Sequence, residues 1–421
     1  MKVLVIGSGG REHALCRAFS KSERVEKIYC ANGNAGIAEV AECVNIKPES
    51  IFELADFAEA NAIDLTFVGG ETALALGIVD EFEKRNLKIV GAGKQAARLE
   101  SSKSFAKDFM ARHSIPTARY KTAFSIDEAR EILTGDFFGG ENSPVVVKAD
   151  GLAAGKGVVV APNRKEAIEA VEEMEQLAGK NAAEKIVLEE CLIGREVSLI
   201  MFCDGKSFAL MPPVRDHKRI GENDTGANTG GMGTVSDSSL LDENQRNEIV
   251  EQVIKPTLEG CAKDGFPFKG ILFLGLMMTE SGAKVLEYNV RFGDPETQVI
   301  LIRLESDLAR ICEAIIDGKL DRTEINWKNG SAACVVLASK GYPAKAETGD
   351  IISGLENVDD ETIVFHAGTQ KNENGEFITA GGRILGVTAT AEDLPNALKK
   401  AYEAVDKISW DGMQFRRDIG K

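Results

Sequence analysis

At 421 residues the chain has room for roughly two to four domains, and 43% apolar residues with 42 glycines is the make-up of a soluble globular protein. A formal net charge of −16, with no long basic run to offset it, excludes nucleic acid as a partner but leaves anionic substrates open, held by local Lys, Arg, helix termini and metal. No apolar stretch approaches the roughly 18 residues that span a bilayer. MKVLVIGSGG reads as a strand entering a glycine turn and not as a signal peptide. The 8 scattered cysteines lack a CxxC pair, so free cytosolic thiols are expected and not disulfides or structural zinc.

In chain order, residues 2–6 predict a strand, Gly7-Ser8-Gly9-Gly10 a turn, and a helix starts near Arg11 and Glu12. Strand, glycine turn and helix N-terminus together make an anion site. A dinucleotide fingerprint needs a glycine where Glu12 stands, so a phosphate-bearing metabolite suits this turn better than a nicotinamide cofactor. KIYCA ends at Asn32-Gly33-Asn34-Ala35-Gly36, DLTFVGG at Glu71 and LKIVGAG at Gly93, with helical patterns between. Alternating strands and helices predict a doubly wound parallel sheet whose loops gather at the strand C-termini.

A helix over 101–113 carries Lys103 and Lys107 four apart on one face, a spacing that most often marks a solvated pair. Residues 144–160, PVVVKADGLAAGKGVVV, predict a hairpin: a strand ends in Lys148, and the tip holds Gly151, Gly155, Lys156 and Gly157. Such a tip can close over polyphosphate; it is not a Walker loop, because a strand follows it. An amphipathic helix over 163–180 precedes KIVLEECLIGREVSL, in which Glu189, Leu192 and Glu196 lie at a strand-to-strand hinge able to serve a base and a ribose. Residues 215–234 read as one long polar loop whose Asp216, His217, Lys218 and Arg219 favour function.

ILFLGLMMTE and KVLEY predict two strands around a turn at 280–283. Glu287 and Asn289 lie two apart, so both can aim oxygens at one hard cation such as Mg²⁺. Arg291 adds a fork suited to carboxylate or phosphate, and Asp294 and Glu296 flank a proline in what reads as a charged loop. After Trp327 three β-like runs and a helix over 391–408 predict a small α+β domain with a mainly structural role.

These stretches together resemble the ATP-grasp superfamily and, within it, the phosphoribosylamine–glycine ligases. The resemblance runs from the first strand to residues 417–420. Its most specific segments are 9–14, 33–36, 148–157, 216–219, 228–233 and 291–298. It implies an N-terminal phosphoribosylamine-binding domain over 1–100 (the pre-ATP-grasp sheet), an ATP-grasp core over 101–325 with a mobile lid at about 121–188, and a C-terminal α+β domain over 326–421. The chain ends where the single-function enzyme ends, so no fused downstream enzyme is expected. Members usually carry proline where this chain has Asn32, Gly70, Ala92 and Ala227; the four losses loosen backbone near substrate loops without removing chemistry.

The implied reaction uses ATP to join glycine to 5-phosphoribosylamine through glycyl phosphate, giving glycinamide ribonucleotide, ADP and phosphate in purine biosynthesis. By the resemblance, Lys103 and Lys148 hold phosphates beneath the Gly151–Gly157 loop, and Glu189 and Leu192 hold adenine, with Glu196 on the ribose. Glu287 and Asn289 hold Mg²⁺ (or Mn²⁺). Arg291, Asp294, Asp216 and Lys218 orient glycine and the moving phosphoryl group. Gly9, Gly10, Asn34, Gly36 and Glu71 bind phosphoribosylamine. A cytoplasmic monomer or weak dimer is expected, with neither nucleic acid nor membrane as partner. Three alternatives stand beside it. Another ATP-grasp ligase or carboxylase of purine synthesis would share the lysines, hairpin and metal pair, but is not expected to share 216–219 and 291–298 together. A nicotinamide oxidoreductase is suggested by the first turn alone, and a non-catalytic nucleotide-binding module would not need the metal pair.

Overall fold

The protein is described from a computed structural model over residues 1–152, 157–179 and 184–421. Five parallel strands, β1 (Lys2–Gly7), β2 (Lys27–Asn32), β3 (Glu42–Val44), β4 (Leu65–Val68) and β5 (Ile89–Val90), lie in the order β3-β2-β1-β4-β5. Helices cover both faces, so β1 is apolar throughout: Leu4 and Ile6 enter one core, Val3 and Val5 the other. Strand order reverses beside β1 and β4, and the loops at Gly7–Gly10 and Gly69–Glu71 part there. The short edge strand β3 adds to the four strands read from the sequence.

A second sheet is antiparallel, β6 (Tyr120–Ala123), β7 (Val145–Ala149), β8 (Val158–Ala161) and β9 (Ile186–Glu190), in the order β6-β9-β7-β8. The helices Ile126–Thr134 and Arg164–Ala178 cover one side, where Val145, Val147, Ala149, Ile186 and Leu188 form the core. Period-two alternation therefore sends Lys148 and Glu189 to the opposite face.

The third sheet is the largest. It contains β10 (Arg195–Asp204), β11 (Phe208–Leu210), β12 (Val214–Asp216), β15 (Gly233–Ser236), β16 (Lys269–Thr279), β17 (Gly282–Asn289), β18 (Ser331–Ala338), β19 (Thr362–His366) and β22 (Arg383–Ala391). They run β17-β16-β10-β12-β15-β18-β22-β19, with β11 on β10. Hairpins β13 (Arg219–Gly221) with β14 (Thr225–Asn228), and β20 (Thr369–Lys371) with β21 (Phe377–Thr379), are appended. One sequence expectation changes here. Residues 215–234 are not a loop: β12 and β15 are neighbours in the sheet and carry β13–β14 between them. The C-terminal strands continue the same sheet, because β18 pairs with β15 from Gly233–Val335 to Ser236–Ala332. The helix Leu394–Val405, capped by Asp393, packs on β18 and β22. Among the described residues no helix is long and apolar enough to cross a membrane.

Candidate active site

β17 sets the centre. Its pairing with β16 shifts between Gly275 and Leu276, so Leu286 bulges and Glu287 opposes Gly275. Tyr288 then points into the core, its hydroxyl 2.9 Å from Thr257 Oγ1, while Glu287 and Asn289 share the other face, half-buried. Burial works against the Glu287 charge, but Lys218, Lys148, Lys103 and Arg291 hold its carboxyl below the usual range. Four cations from four parts of the chain thus converge on this carboxylate, and Arg291, Lys218 and Lys148 each face further acids as well. Among the described residues no three acidic, His or Cys side chains form a metal cluster. A two-oxygen site of Glu287 and Asn289 fits a cation that takes its remaining ligands from phosphates and water.

Arg291 follows at the strand's end. Its Nε lies 3.2 Å from Glu71 Oε2, one Nη2 lies 2.7 Å from Glu100 Oε1, and Nη2 also donates to Asn289 Oδ1 at 3.2 Å. Burial raises Glu100, which also accepts the Val290 N–H at 2.8 Å. Glu71 is likewise opposed by burial, yet Arg291 and Arg11 keep it below its ordinary value. Arg291 therefore joins the first sheet to β17.

The following segment is not the charged loop expected. Glu296–Leu301 is a short buried helix, and burial with nearby Asp216 pushes Glu296 up to about 7. Asp294 accepts from Gln298 Nε2 at 2.8 Å and lies 3.1 Å from Arg383 Nη2. Arg383 opens β22 and also donates to the carbonyls of Asp294 and Gly230, so the C-terminal segment reaches the site. A Cβ on Gly10 would meet Gln298 Nε2 at 2.5 Å, which explains that glycine by packing. Glu12 caps the first helix by accepting the Gly9 N–H at 2.6 Å, and its carboxylate fills the space beside Gly7 and Gly69. That part of the anion turn is already occupied by the protein's own acid.

Asn34 is engaged throughout. Its Nδ2 donates to Ser8 O (2.7 Å) and His366 O (2.9 Å), while Oδ1 accepts from Gly36 and Ile37, both at 2.9 Å. Gly36 admits the His366 ring, which a Cβ would meet at 2.3 Å. Both residues shape the loop against the C-terminal segment and leave no free side-chain group of their own.

On the second sheet Lys148 Nζ reaches across to Leu286 O at 3.3 Å, tying β7 to β17. It also lies 2.8 Å from Glu189 Oε1, an ion pair on the buried side of the cleft. Lys107 Nζ is 2.8 Å from Glu189 Oε2 and is buried, not solvated as its spacing suggested; burial takes it down to about 8 despite Glu189. Lys103 donates to Gly151 O at 3.2 Å, and burial lowers it while Glu287 pulls the other way. Asp150 caps the helix Lys103–Arg112 through the Ser104 N–H at 2.6 Å. Gly157 O accepts from the Ala149 N–H at 2.8 Å; Gly155 and Lys156 lie outside the described residues. Across the cleft, Lys218 Nζ lies 3.0 Å from Glu196 Oε2 and is raised well above its ordinary value, first by Asp216. Asp216 itself is raised by burial against the pull of Lys218. Leu192 lies in the hinge between β9 and β10.

The sequence reading missed Glu100, Asp150 and Arg383 and undervalued Lys107. Only Arg383 carried a signal, a Gly-Gly turn opening a strand; spacing alone cannot tell a buried lysine from a solvated one.

The N, ATP-grasp and C domains of phosphoribosylglycinamide synthetase match residues 1–100, 101–297 and 332–421. The phosphoribosylamine–glycine ligase of Caldanaerobacter subterraneus is 46% identical over 100% of this chain and 99% of its own. The chain belongs to the phosphoribosylglycinamide synthetase family. The Vibrio parahaemolyticus ligase of the same name is 48% identical, covering 100% of this chain and 98% of its own. The crystal structure of the Thermotoga maritima ligase matches with a TM-score of 0.84 at 33% identity, over 99% of this chain and 100% of that one. The family and the fold expected from the sequence are borne out: a parallel N-terminal sheet, an ATP-grasp core and a C-terminal domain. So is the activity, an ATP-grasp ligase of purine biosynthesis acting on small molecules with ATP and a divalent metal. The oxidoreductase, the non-catalytic module and another purine-pathway enzyme are set aside.

Proposed function

We propose that the cleft between the second and third sheets performs the ligation through glycyl phosphate. The observation that carries this reading is the convergence of Lys103, Lys148, Lys218 and Arg291, from four parts of the chain, on the Glu287 carboxylate, which gathers cations where polyphosphate and carboxylate anions would bind. Carboxylate oxygen is a poor leaving group, so the glycine carboxylate first takes the terminal phosphoryl group; the phosphoribosylamine nitrogen then displaces phosphate from the acyl carbon. Little covalent work falls to side chains, which position anions and neutralise charge.

Lys103 and Lys148 hold the phosphates, and Gly151, Gly155, Lys156 and Gly157 are assigned the role of covering them. Glu189 and the Leu192 backbone take adenine, and Glu196 the ribose. Glu287 and Asn289 hold Mg²⁺, or Mn²⁺, which when bound supplies charge neutralisation for phosphoryl transfer. Arg291, with Asp216 and Lys218, orients glycine and the phosphoryl group. Asp294, braced by Arg383 and Gln298, sits where Gly9 and Gly10 approach the cleft. Gly9, Gly10, Asn34, Gly36 and Glu71 form the phosphoribosylamine side over residues 1–100; there Asn34 and Gly36 act through loop shape, since their polar groups are engaged. Residues 101–325, with a lid near 121–188, serve ATP and glycine, and residues 326–421 complete the cleft. Eight free cysteines support a reducing, cytoplasmic location; a monomer or weak dimer is proposed.

ADP release is the test, with glycine and freshly generated phosphoribosylamine each omitted in turn. Release requiring both supports the reading. Release undiminished without glycine would exclude glycine as the phosphoryl acceptor.

A further inference from the structure

Glu189 lies between two buried lysines, with side-chain exposures of 3% for the acid, 2% for Lys107 and 9% for Lys148. Lys107 comes from the helix Lys103–Arg112, Glu189 from β9 and Lys148 from β7, so three elements meet at one carboxylate. Lys107 is fixed on its far side: it donates to Thr117 Oγ1 at 2.7 Å, and that hydroxyl donates to Val285 O at 2.6 Å. Its ammonium also lies 5.9 Å from the centre of the Tyr120 ring. Neighbouring Glu190 is paired elsewhere, with Arg119 at 2.8 Å and Lys284 at 3.7 Å. The unit of Lys107, Glu189 and Lys148 therefore carries one net positive charge. Without Lys107, Glu189 and Lys148 would cancel, and an anion in the cleft would meet a neutral pair.

We propose that Lys107 is a positioning residue for the nucleotide phosphates: by balancing Glu189 it leaves the charge of Lys148 available to an anion. This rests on the assignment of Lys148 to the phosphates above. Lys107 touches no reacting atom; it acts through Glu189.

The test is calorimetric titration of the full chain with ATP–Mg²⁺ and, separately, with adenosine, which lacks the phosphates. Lys107→Met is expected to weaken ATP binding about tenfold or more and adenosine binding less than about threefold. Lys107→Met combined with Glu189→Gln restores the net charge; because Glu189 also serves adenine, the readout is the ratio of ATP to adenosine affinity, which should return to within about threefold of the wild type. Unchanged ATP affinity in Lys107→Met, an equal loss for ATP and adenosine, or a double variant whose ratio is as low as that of the single one would overturn the inference. If Lys107→Met does not fold, the double variant decides: an ATP-to-adenosine ratio more than about tenfold below the wild type refutes the charge balance. Lys148→Met separates this inference from the reading beneath it. If that variant weakens ATP binding and Lys107→Met does not, only the role of Lys107 falls; if Lys148→Met is without effect, the phosphate assignment falls with it.

Discussion

Two clusters of basic and acidic side chains meet the β12–β13 segment at neighbouring residues, Lys218 in one and Arg219 in the other, and they are built to different ends. Arg416 is 1% exposed and fully matched: Nε and Nη2 each lie 2.8 Å from an oxygen of Asp418, and Nη1 donates to Asp224 at 2.7 Å and to Arg219 O at 3.1 Å. Its hydrogen bonds hold Asp418 down to about 2. Around Glu287 the same residue types form an open network in which Lys103, Lys148, Lys218 and Arg291 converge on one carboxylate while each also faces other acids. Closed pairing makes a clasp between the chain terminus and β13–β14; shared pairing leaves cations able to turn to an anion. Residue type does not separate the two, but the balance of donors and acceptors does.

The comparison breaks most sharply at Glu287. Glu287→Gln should lower turnover by orders of magnitude while the melting temperature changes little, because the proposed metal site loses its carboxylate. Asn289→Asp should need less free Mg²⁺ and turn over more slowly. ADP release against Mg²⁺ concentration checks both. Wild-type turnover and Mg²⁺ dependence in Glu287→Gln would make these residues an ordinary charged strand edge.

Arg416→Met should show the converse. Leaving Asp418 buried without its partner costs about 3–5 kcal/mol, read as a lower denaturation midpoint, whereas the ATP dissociation constant of the folded fraction at low temperature should stay near wild type. Loss of ATP affinity without loss of stability would show that the two clusters are one system.

Acid should also act on a third group, the buried histidines, whose three contributions outweigh the opposing one of Glu296, which burial holds at about 7 and which therefore adds stability as pH falls. Burial holds His13 at about 3, His217 at about 4 and His366 at about 4. Unfolded histidine titrates near 6.5. Between these values the unfolded chain binds more protons than the folded one, so stability falls as pH falls from about 6.5 toward 4. Asp418, with its lowered value, contributes stability above its unfolded range that is lost only nearer pH 2. Urea midpoints at pH 7, 5.5 and 4.5 would show a steady decline; a flat series would mean that these histidines take up protons in the folded protein.

The smallest effect is expected at Gly70. Its φ of −104° is negative, its N–H makes no hydrogen bond among the described residues, and a Cβ there would lie 3.4 Å from Arg11 Nη2. Gly70→Pro should be neutral or stabilise by about 0.4–1 kcal/mol. A large loss by calorimetric melting would show that the loop cannot bring φ to the proline value.

By itself the sequence determined the longer apolar strands and several helices, because burial on both faces demands continuous apolar runs such as Val3–Ile6 and burial on one face demands alternation such as Val145–Ala149. It also placed Glu287 and Asn289 on one face, since that depends only on a two-residue repeat. Local pattern could not decide what lies opposite. Only the tertiary structure made residues 215–234 into two sheet strands and a hairpin, brought Arg383 from β22 to Asp294, and set Lys107 and Lys148 on either side of Glu189. Each of these is a pairing across many residues, fixed by packing and charge balance in three dimensions and leaving no periodic trace in the chain.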